Sequence, residues 1–323
     1  MAPSIKLIRW ISILLALCAV GVACAQADYP ARPIRFLVGV VPGGAADTLA
    51  RAVGQRYSIA FHQQVIVDNR PGANQTIATD ITAKAAPDGY TIVIVAAGHT
   101  ISPALYKLPY DVQKDFSEIG FIAAVPNVLV VHPGLNVRTA KDFIALARSK
   151  PGAFAYGSSG IGSASHLSTE LFQMMAQLKL VHVPYKGQSL AMVDLISGQL
   201  QFGFPSVPAA IQHIRSGKMI ALGVASRERS SALPEVPSLD QTVPGYEVSG
   251  WYGILAPAKT PNAIVARLNG ELNRILQNPA TREILSREGA DPLPRTPEEF
   301  TRTIKLDVVK WAKVVKAAGL KVE

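Results

Sequence analysis

Residues 156–167 read YGSSGIGSASHL, which sets glycines, serines and a histidine side by side. Such a stretch can cradle a phosphate, hold a serine nucleophile with its base, or form a nest of main-chain N–H groups around another anion. The first two chemistries need spacings that are absent. A phosphate loop of the G-x-x-x-x-G-K-[ST] type does not occur in the chain. Gly160-Ile161-Gly162 begins a dinucleotide fingerprint, but Ser165 stands where the third glycine belongs. A nucleophile elbow needs G-x-S-x-G, and Gly157-Ser158-Ser159-Gly160 is spaced otherwise. A secreted serine hydrolase using Ser163 or Ser158 with His166 as base is the competing reading, and no partner acid can be identified for it. The six histidines are dispersed, with no H-E-x-x-H and no clustered carboxylates, so no metal and no cofactor are expected.

The anion nest is the favoured reading, because two further loops resemble the first in placement. VPGGAAD (41–47), AAGHTIS (96–102) and YGSSGIGSAS (156–165) each follow an apolar strand-like run and open a helix-like one. The first turn of a helix leaves N–H groups unpaired, and with the helix dipole these attract anions. Glycine lets a ligand approach the main chain closely. Ser163 either caps its helix or touches ligand, and both can hold. His166 ties the loop down or donates to ligand. Asp47, in a first helical turn, either receives a polar ligand group or orients its loop. Tyr185-Lys186-Gly187, after Pro184, reads as an exposed turn, with Lys186 either a solvated charge or a ligand contact. Trp251 and Tyr252 read more as core than as a ligand platform.

These loops must be carried by alternating strands and helices. Apolar and β-branched runs predict strands over 34–41, 65–68, 90–96, 154–157, 180–183, 200–204 and 219–225. Helical spacing is predicted over 45–57, 74–86, 139–149 (Thr139 as N-cap), 163–177, 190–197, 208–216, 262–277, 279–288 and 297–318. A long apolar run at 119–132 is interrupted by Pro126. The alternation predicts an α/β protein with helices on both sheet faces. Apolar strands near 121–131 and 220–225 bracket a block that is itself a complete α/β unit. The expected organisation is a discontinuous first domain, 28–124 plus 226–323, with 125–225 inserted as the second and two crossings forming a hinge.

The 323 residues, with 49% hydrophobic and 17% charged, exclude disorder and support sizeable cores. Lys6 and Arg9 precede an apolar run over 10–24, and Ala25-Gln26-Ala27 offers a cleavage site. Residues 1–27 therefore read as a signal peptide, with cleavage after Ala25 as the alternative, and the product as an exported protein. Both cysteines, Cys18 and Cys24, lie inside this segment, and the residues before them suit lipidation poorly. Its removal takes away two cations and no anion, which lowers the formal charge from +9 to +7. Lys and Arg are scattered without an aromatic-interleaved cluster, which argues against nucleic acid. The balance either steers small anions or serves solubility alone.

Several ordered motifs carry a family likeness along the whole mature chain. They are Tyr29-Pro30 through Pro33-Ile34, PGGAADTLAR (42–51), VIVDNRPGAN (65–74), AKAAPDGYT (83–91) and YDVQKDF (110–116). GSASHLSTELF (162–172), VHVPYKG (181–187) and WAKVVKAAG (311–319) follow. In these the chain resembles the Bug family, extracytoplasmic solute receptors of the tripartite tricarboxylate transporter type. The resemblance implies a type II periplasmic-binding-protein fold, two α/β domains closing on a small organic carboxylate, with no enzymatic activity. It implies a ligand held by main-chain amides at Gly43, Gly44 and Asp47 of the first domain and Ser158, Gly162, Ser163 and His166 of the second. Gly98, His99 and Thr100 would line the cleft, with Tyr185, Lys186, Pro205 and Ser206 as further candidates. The implied partners are membrane permease subunits or a sensor, with the receptor itself a monomer. Many relatives carry Pro-Phe where this chain has Gly39-Val40, and an Asp in the segment that here reads Phe202-Gly203-Phe204-Pro205-Ser206. Without that acid a ligand amine lacks a partner, so the expectation turns towards plain mono- or dicarboxylates, aliphatic or aromatic.

Overall fold

The structure, a computed structural model, describes residues 29–320 except 44, 73–74, 186–187 and 288. The signal-peptide segment, Gly44 and Lys186 thus lie outside the described residues. The strands in chain order are β1 (Ile34–Val38), β2 (Val65–Asn69), β3 (Thr91–Ala96), β4 (Phe116–Pro126), β5 (Val128–Val131) and β6 (Ala155–Ser158). Then come β7 (Val181–Pro184), β8 (Phe202–Gly203), β9 (Ile220–Val224), β10 (Ser249–Pro257) and β11 (Asp291–Pro292). The helices are α1 (Ala45–Phe61), α2 (Thr76–Ala83), α3 (Gly98–Leu105), α4 (Ala140–Ser149) and α5 (Ala164–Ala176). The remaining ones are α6 (Gln188–Ile196), α7 (Val207–Arg215), α8 (Asn262–Gln277), α9 (Pro279–Arg287) and α10 (Pro297–Ala317).

Two sheets result. The first runs β11-β4-β10-β3-β1-β2 and the second β7-β6-β8-β5-β9. Within the first, β1 lies parallel to both β2 and β3, while β10 is antiparallel to β3 and β4. Within the second, β6 is parallel to β7 and β8, and β5 is antiparallel to β8 and β9. Parallel neighbours bring their carboxyl ends to one edge, and the helices that follow them start there. Thus β1 and β3 deliver the starts of α1 and α3, and β6 and β8 deliver those of α5 and α7.

The chain passes between the sheets at two places. Asn127 alone separates β4 from β5, and residues 225–248 separate β9 from β10. The two passages are laced together: Ala225 N–H donates to Asn127 O and Val248 N–H to Ala225 O, both at 2.8 Å. The Asn127 amide also donates to Phe204 O at 3.0 Å and to Ser168 Oγ at 3.3 Å. Pro126 marks the break because it cannot donate to a continuing ladder.

Each sheet buries apolar side chains on both faces, as β-α alternation requires. Ile34, Phe36, Val38, Ile92 and Ile94 join Leu49, Val53 and Leu268 on one face of the first sheet. Leu37, Val93, Val95 and Leu255 meet Phe300 and Ile304 on the other. The helix α10 does not stay with that sheet. Its later residues Trp311, Val314 and Val315 belong to the core that includes Phe143, Tyr156, Phe172 and Tyr246 around the second sheet. Leu105 of α3 joins the same core.

Candidate functional site

A cavity of about 500 Å³ lies between the two sheets, where the helix starts face one another. Its lining includes Ala45, Gly98, Ala164, Ser206 and Ala209. Ala45, Gly98 and Ala164 are the first residues of α1, α3 and α5, and Ser206 caps α7. Four helices therefore point their positive ends into one space, two from each sheet. No side-chain cap bond closes α3 or α7; in α3 the Thr100 N–H turns back to Ala97 O at 3.1 Å, and the N–H groups of Gly98 and Val207 at the helix starts have no side-chain cap. Among the described residues the lining holds no Lys, Arg, His, Asp or Glu; its polar side chains are Asn127, Ser206, Trp251 and Tyr252. The remainder is small and apolar, including Leu49, Val125 and Ala290.

The arrangement suits an anion with a short carbon skeleton. A helix dipole contributes about 0.3–1 kcal/mol each, too little for capture even from four ends. Direct N–H bonds to a carboxylate contribute about 1.5–3 kcal/mol each. Two or three of these, added to the dipoles, reach the roughly −8 kcal/mol of a micromolar complex.

Of the residues picked from the sequence, Gly98 and Ser206 line the cavity, and Pro205 stands beside them with its carbonyl accepting Val128 N–H at 2.9 Å. A Cβ added to Gly98 would meet nothing within 4 Å, so the main chain there is open to the cavity. The other candidates support the loops. Asp47 is buried, and its carboxylate takes Gly43 N–H at 2.9 Å, Asn69 Nδ2 at 2.9 Å, and Arg51 through Nε and Nη2. Burial pushes its carboxyl up, but the bonds from Arg51, Gly43 and Asn69 outweigh burial and hold it below the usual carboxylate range. Of the two roles open to Asp47 in the sequence, orienting the loop is the one its contacts show. Gly43, at φ +88°, is where glycine permits the turn.

His99 and Thr100 turn inward from α3. His99 stacks on Tyr110 and meets the edge of Phe116, and burial pushes its pKa down to about 4. The hydroxyl of Thr100 donates to Ala97 O at 2.8 Å. Tyr185 donates to Asp194 at 2.5 Å; burial and that carboxylate push the phenol up to about 12.

The glycine-serine loop is organised from within. Ser163 caps α5 by accepting His166 N–H at 3.3 Å. Ser165 Oγ accepts Ser159 N–H at 3.1 Å, and His166 Nδ1 accepts Gly162 N–H at 3.0 Å. The other nitrogen of His166, Nε2, faces Glu170 at 3.6 Å. Neither ring nitrogen of His166 is directed at Ser158 or Ser163, so the hydrolase pairing of those serines with His166 is not built. Ser158 instead meets His182 Nε2 at 2.7 Å, a contact the sequence did not suggest, and its hydroxyl is fully buried.

Asn127, Tyr252 and Trp251 were not foreseen as cavity residues. Asn127 had a signal, a polar residue directly after Pro126 inside an apolar run. Trp251 is core as expected, donating Nε1 to Asp307 at 3.0 Å between Phe121 and Phe300, yet one side of it reaches the cavity.

Comparison with known proteins agrees with this architecture. The tripartite tricarboxylate transporter family receptor model matches residues 49–320. Protein BugT of Bordetella pertussis is 35% identical, over 98% of this chain and 99% of its own. The structure of R. palustris Rpa4515 with adipate superposes with a TM-score of 0.74 at 34% identity, covering 91% of this chain and 99% of that one. MatC from Rhodopseudomonas palustris with bound malate does so with a TM-score of 0.70 at 30% identity, over 89% and 100%. With two α/β sheets facing each other across a cleft and likeness along nearly its full length, the chain belongs to the tripartite tricarboxylate transporter receptor family, the periplasmic solute-binding receptors that include the Bug proteins.

Proposed function

We propose that this protein is an exported receptor that captures a small organic carboxylate in the cleft between its sheets. It then delivers the ligand to the permease subunits of a tripartite tricarboxylate transporter, or to a sensor. The observation that carries the reading is the convergence of four helix starts on one cavity of about 500 Å³. Carboxylates bound to two relatives, adipate and malate, support the same ligand class. The lining offers no acidic partner for a ligand ammonium among the described residues, which favours plain mono- or dicarboxylates over amino acids. Ligand contact falls on main-chain N–H groups at Gly98, Ala164 and the Ser206 turn, with Asn127 and Tyr252 beside them. The glycine loops at 41–47 and 156–165 shape the rim. The protein acts after removal of residues 1–27, as a monomer, and leaves its ligand chemically unchanged.

Thermal unfolding against adipate, malate, benzoate and glutamate tests this. A bound ligand at one hundred times its Kd raises stability by about 2.7 kcal/mol by mass action. Stabilisation by at least one of the first three, with recovery of the intact acid, is the expected result. No response to any of them, or ester turnover lost in Ser158→Ala, would overturn it.

A further inference from the structure

Beneath the glycine-serine loop lies a buried cluster that ligand binding does not use. The rings of His166 and His182 stack with centroids 3.8 Å apart and 13° between their planes. His166 comes from α5 and His182 from β7, and the ring of Tyr156 on β6 flanks both, 4.9 Å from His182 and 6.3 Å from His166. Each imidazole holds one glycine of the loop. His166 Nδ1 accepts Gly162 N–H, and the Ser158 hydroxyl, facing His182 Nε2 at 2.7 Å, accepts Gly160 N–H at 3.2 Å while giving its own hydrogen to that ring nitrogen. Those bonds fix the tautomer of His166: with Nδ1 accepting, the proton sits on Nε2, and the ring is neutral.

The loop so held borders both the cavity and the opposite lobe. Its end, Ala164, lines the cavity. Gly162 lies so close to Leu105 of α3 that an added Cβ would stand 2.4 Å from Leu105 Cδ1. We propose that His166 and His182 are positioning residues for this loop, and that protonating the pair releases the Gly162 and Gly160 amides and weakens carboxylate capture. A proton added to Nδ1 of His166 faces the Gly162 N–H donor head-on and ends that bond. Two stacked cations repel strongly at that separation, so the pair takes up one proton first and the second with difficulty.

The groups around the pair define its titration. Glu170 on α5 faces His166 and also accepts the Tyr156 hydroxyl at 2.6 Å and the Gln173 amide at 2.6 Å. Lys179 shares with Glu170 the groove against the end of α10, where Val314, Ala317 and the following Ala318 line it. Burial holds both imidazoles down at about 4, with the neighbouring ring adding to the effect on His182 and Glu170 opposing it. The clamp is therefore shut at neutral pH and opens in acid.

The loop is read first without ligand, by amide exchange at Gly160 and Gly162 in the full mature protein, corrected for intrinsic rates, between about pH 7 and about pH 4. Protection of both amides should fall about tenfold as the imidazole nitrogens titrate, and in His182→Gln that fall should be lost or displaced. Affinity for adipate over the same range is the second reading. The ratio of wild-type to His182→Gln affinity should drift about tenfold, since the ligand's own protonation is common to both. Glycine protection unchanged down to pH 4, or superposable profiles for the two proteins, overturns the clamp. The inference rests on the cavity being the carboxylate site, and the two readings separate the failures. Acid-sensitive glycine protection in a protein that binds none of the carboxylates supports the clamp and counts against the cavity as the ligand site.

Discussion

Asp47 accepts the main-chain N–H of Gly43 at 2.9 Å from four residues further along the chain, tying the first turn of α1 back onto the loop that precedes it. Arg51, one turn on, grips the same carboxylate. Asp47 is 2% exposed, whereas the Arg51 side chain is 52% exposed, so the pair is one buried anion answered by a half-solvated cation. Asp47→Ala strands the Gly43 and Asn69 donors and should cost about 2–3 kcal/mol in urea unfolding; Arg51→Ala, partly screened, should cost about 1 kcal/mol. Equal costs would show that the loop is held by something else.

The same carboxylate gives a pH signature. Its folded value lies below the ordinary one, so its contribution is complete above about pH 4 and is lost as pH falls below that. The histidine pair acts earlier. Both rings titrate lower in the folded chain, at about 4 against 6.5, so the unfolded chain takes up protons first. Stability should fall by about 3 kcal/mol from the buried His166 between about pH 6.5 and about pH 4, with a smaller, screened part added by the half-buried His182. Chemical denaturation across that window should show a flatter slope for His182→Gln; an unchanged slope would mean that the pair is not the acid-labile element.

Gly98 gives a clean way to fill the cavity. It opens α3 with ordinary backbone angles and has no neighbour within 4 Å of an added Cβ. Gly98→Val should therefore leave the unfolding free energy within about 0.5 kcal/mol of the parent. It should also cut carboxylate affinity by about a hundredfold, because the side chain takes the space over the N–H groups. Retained affinity in isothermal titration would place the ligand elsewhere.

Gly162 is the opposite case, with φ +75° and Leu105 Cδ1 only 2.4 Å from a virtual Cβ. Gly162→Ala should cost about 2–3 kcal/mol, part from backbone strain and part from the clash with α3. In a double-mutant cycle Leu105→Ala should recover the steric part and leave the strain. Additive losses would deny that loop and helix touch in solution.

Much of the fold was legible because the β-α units repeat locally. In β1-α1-β2, α4 and β6-α5-β7 the apolar period, the glycine stops and the caps Thr139 of α4 and Ser163 of α5 all lie within a few residues of what they control. Short β11 was missed, and so was β10, which inserts between β3 and β4 from over a hundred residues downstream and carries Gly250, Gly253 and Pro257. Its place depends on partners that no local window contains. The site divided the same way. Loops at strand-helix junctions follow from main-chain geometry, so their gathering was foreseeable. Which polar side chains serve the loop and which line the cavity was not, because Asp47–Asn69, Ser158–His182 and the Asn127 bridge join distant segments. Gly44 and Lys186, both chosen from sequence, remain proposals on residue type alone.

The closing helix has a mechanical consequence. Phe300 and Ile304 anchor its beginning beneath one sheet, while Trp311, Val314 and Val315 are embedded beneath the other. Any swing of the two sheets about Asn127 and Ala225 would also have to bend, roll or unseat this strut. The gap between the two sheets is thus spanned by a beam laid across them, seated at both ends.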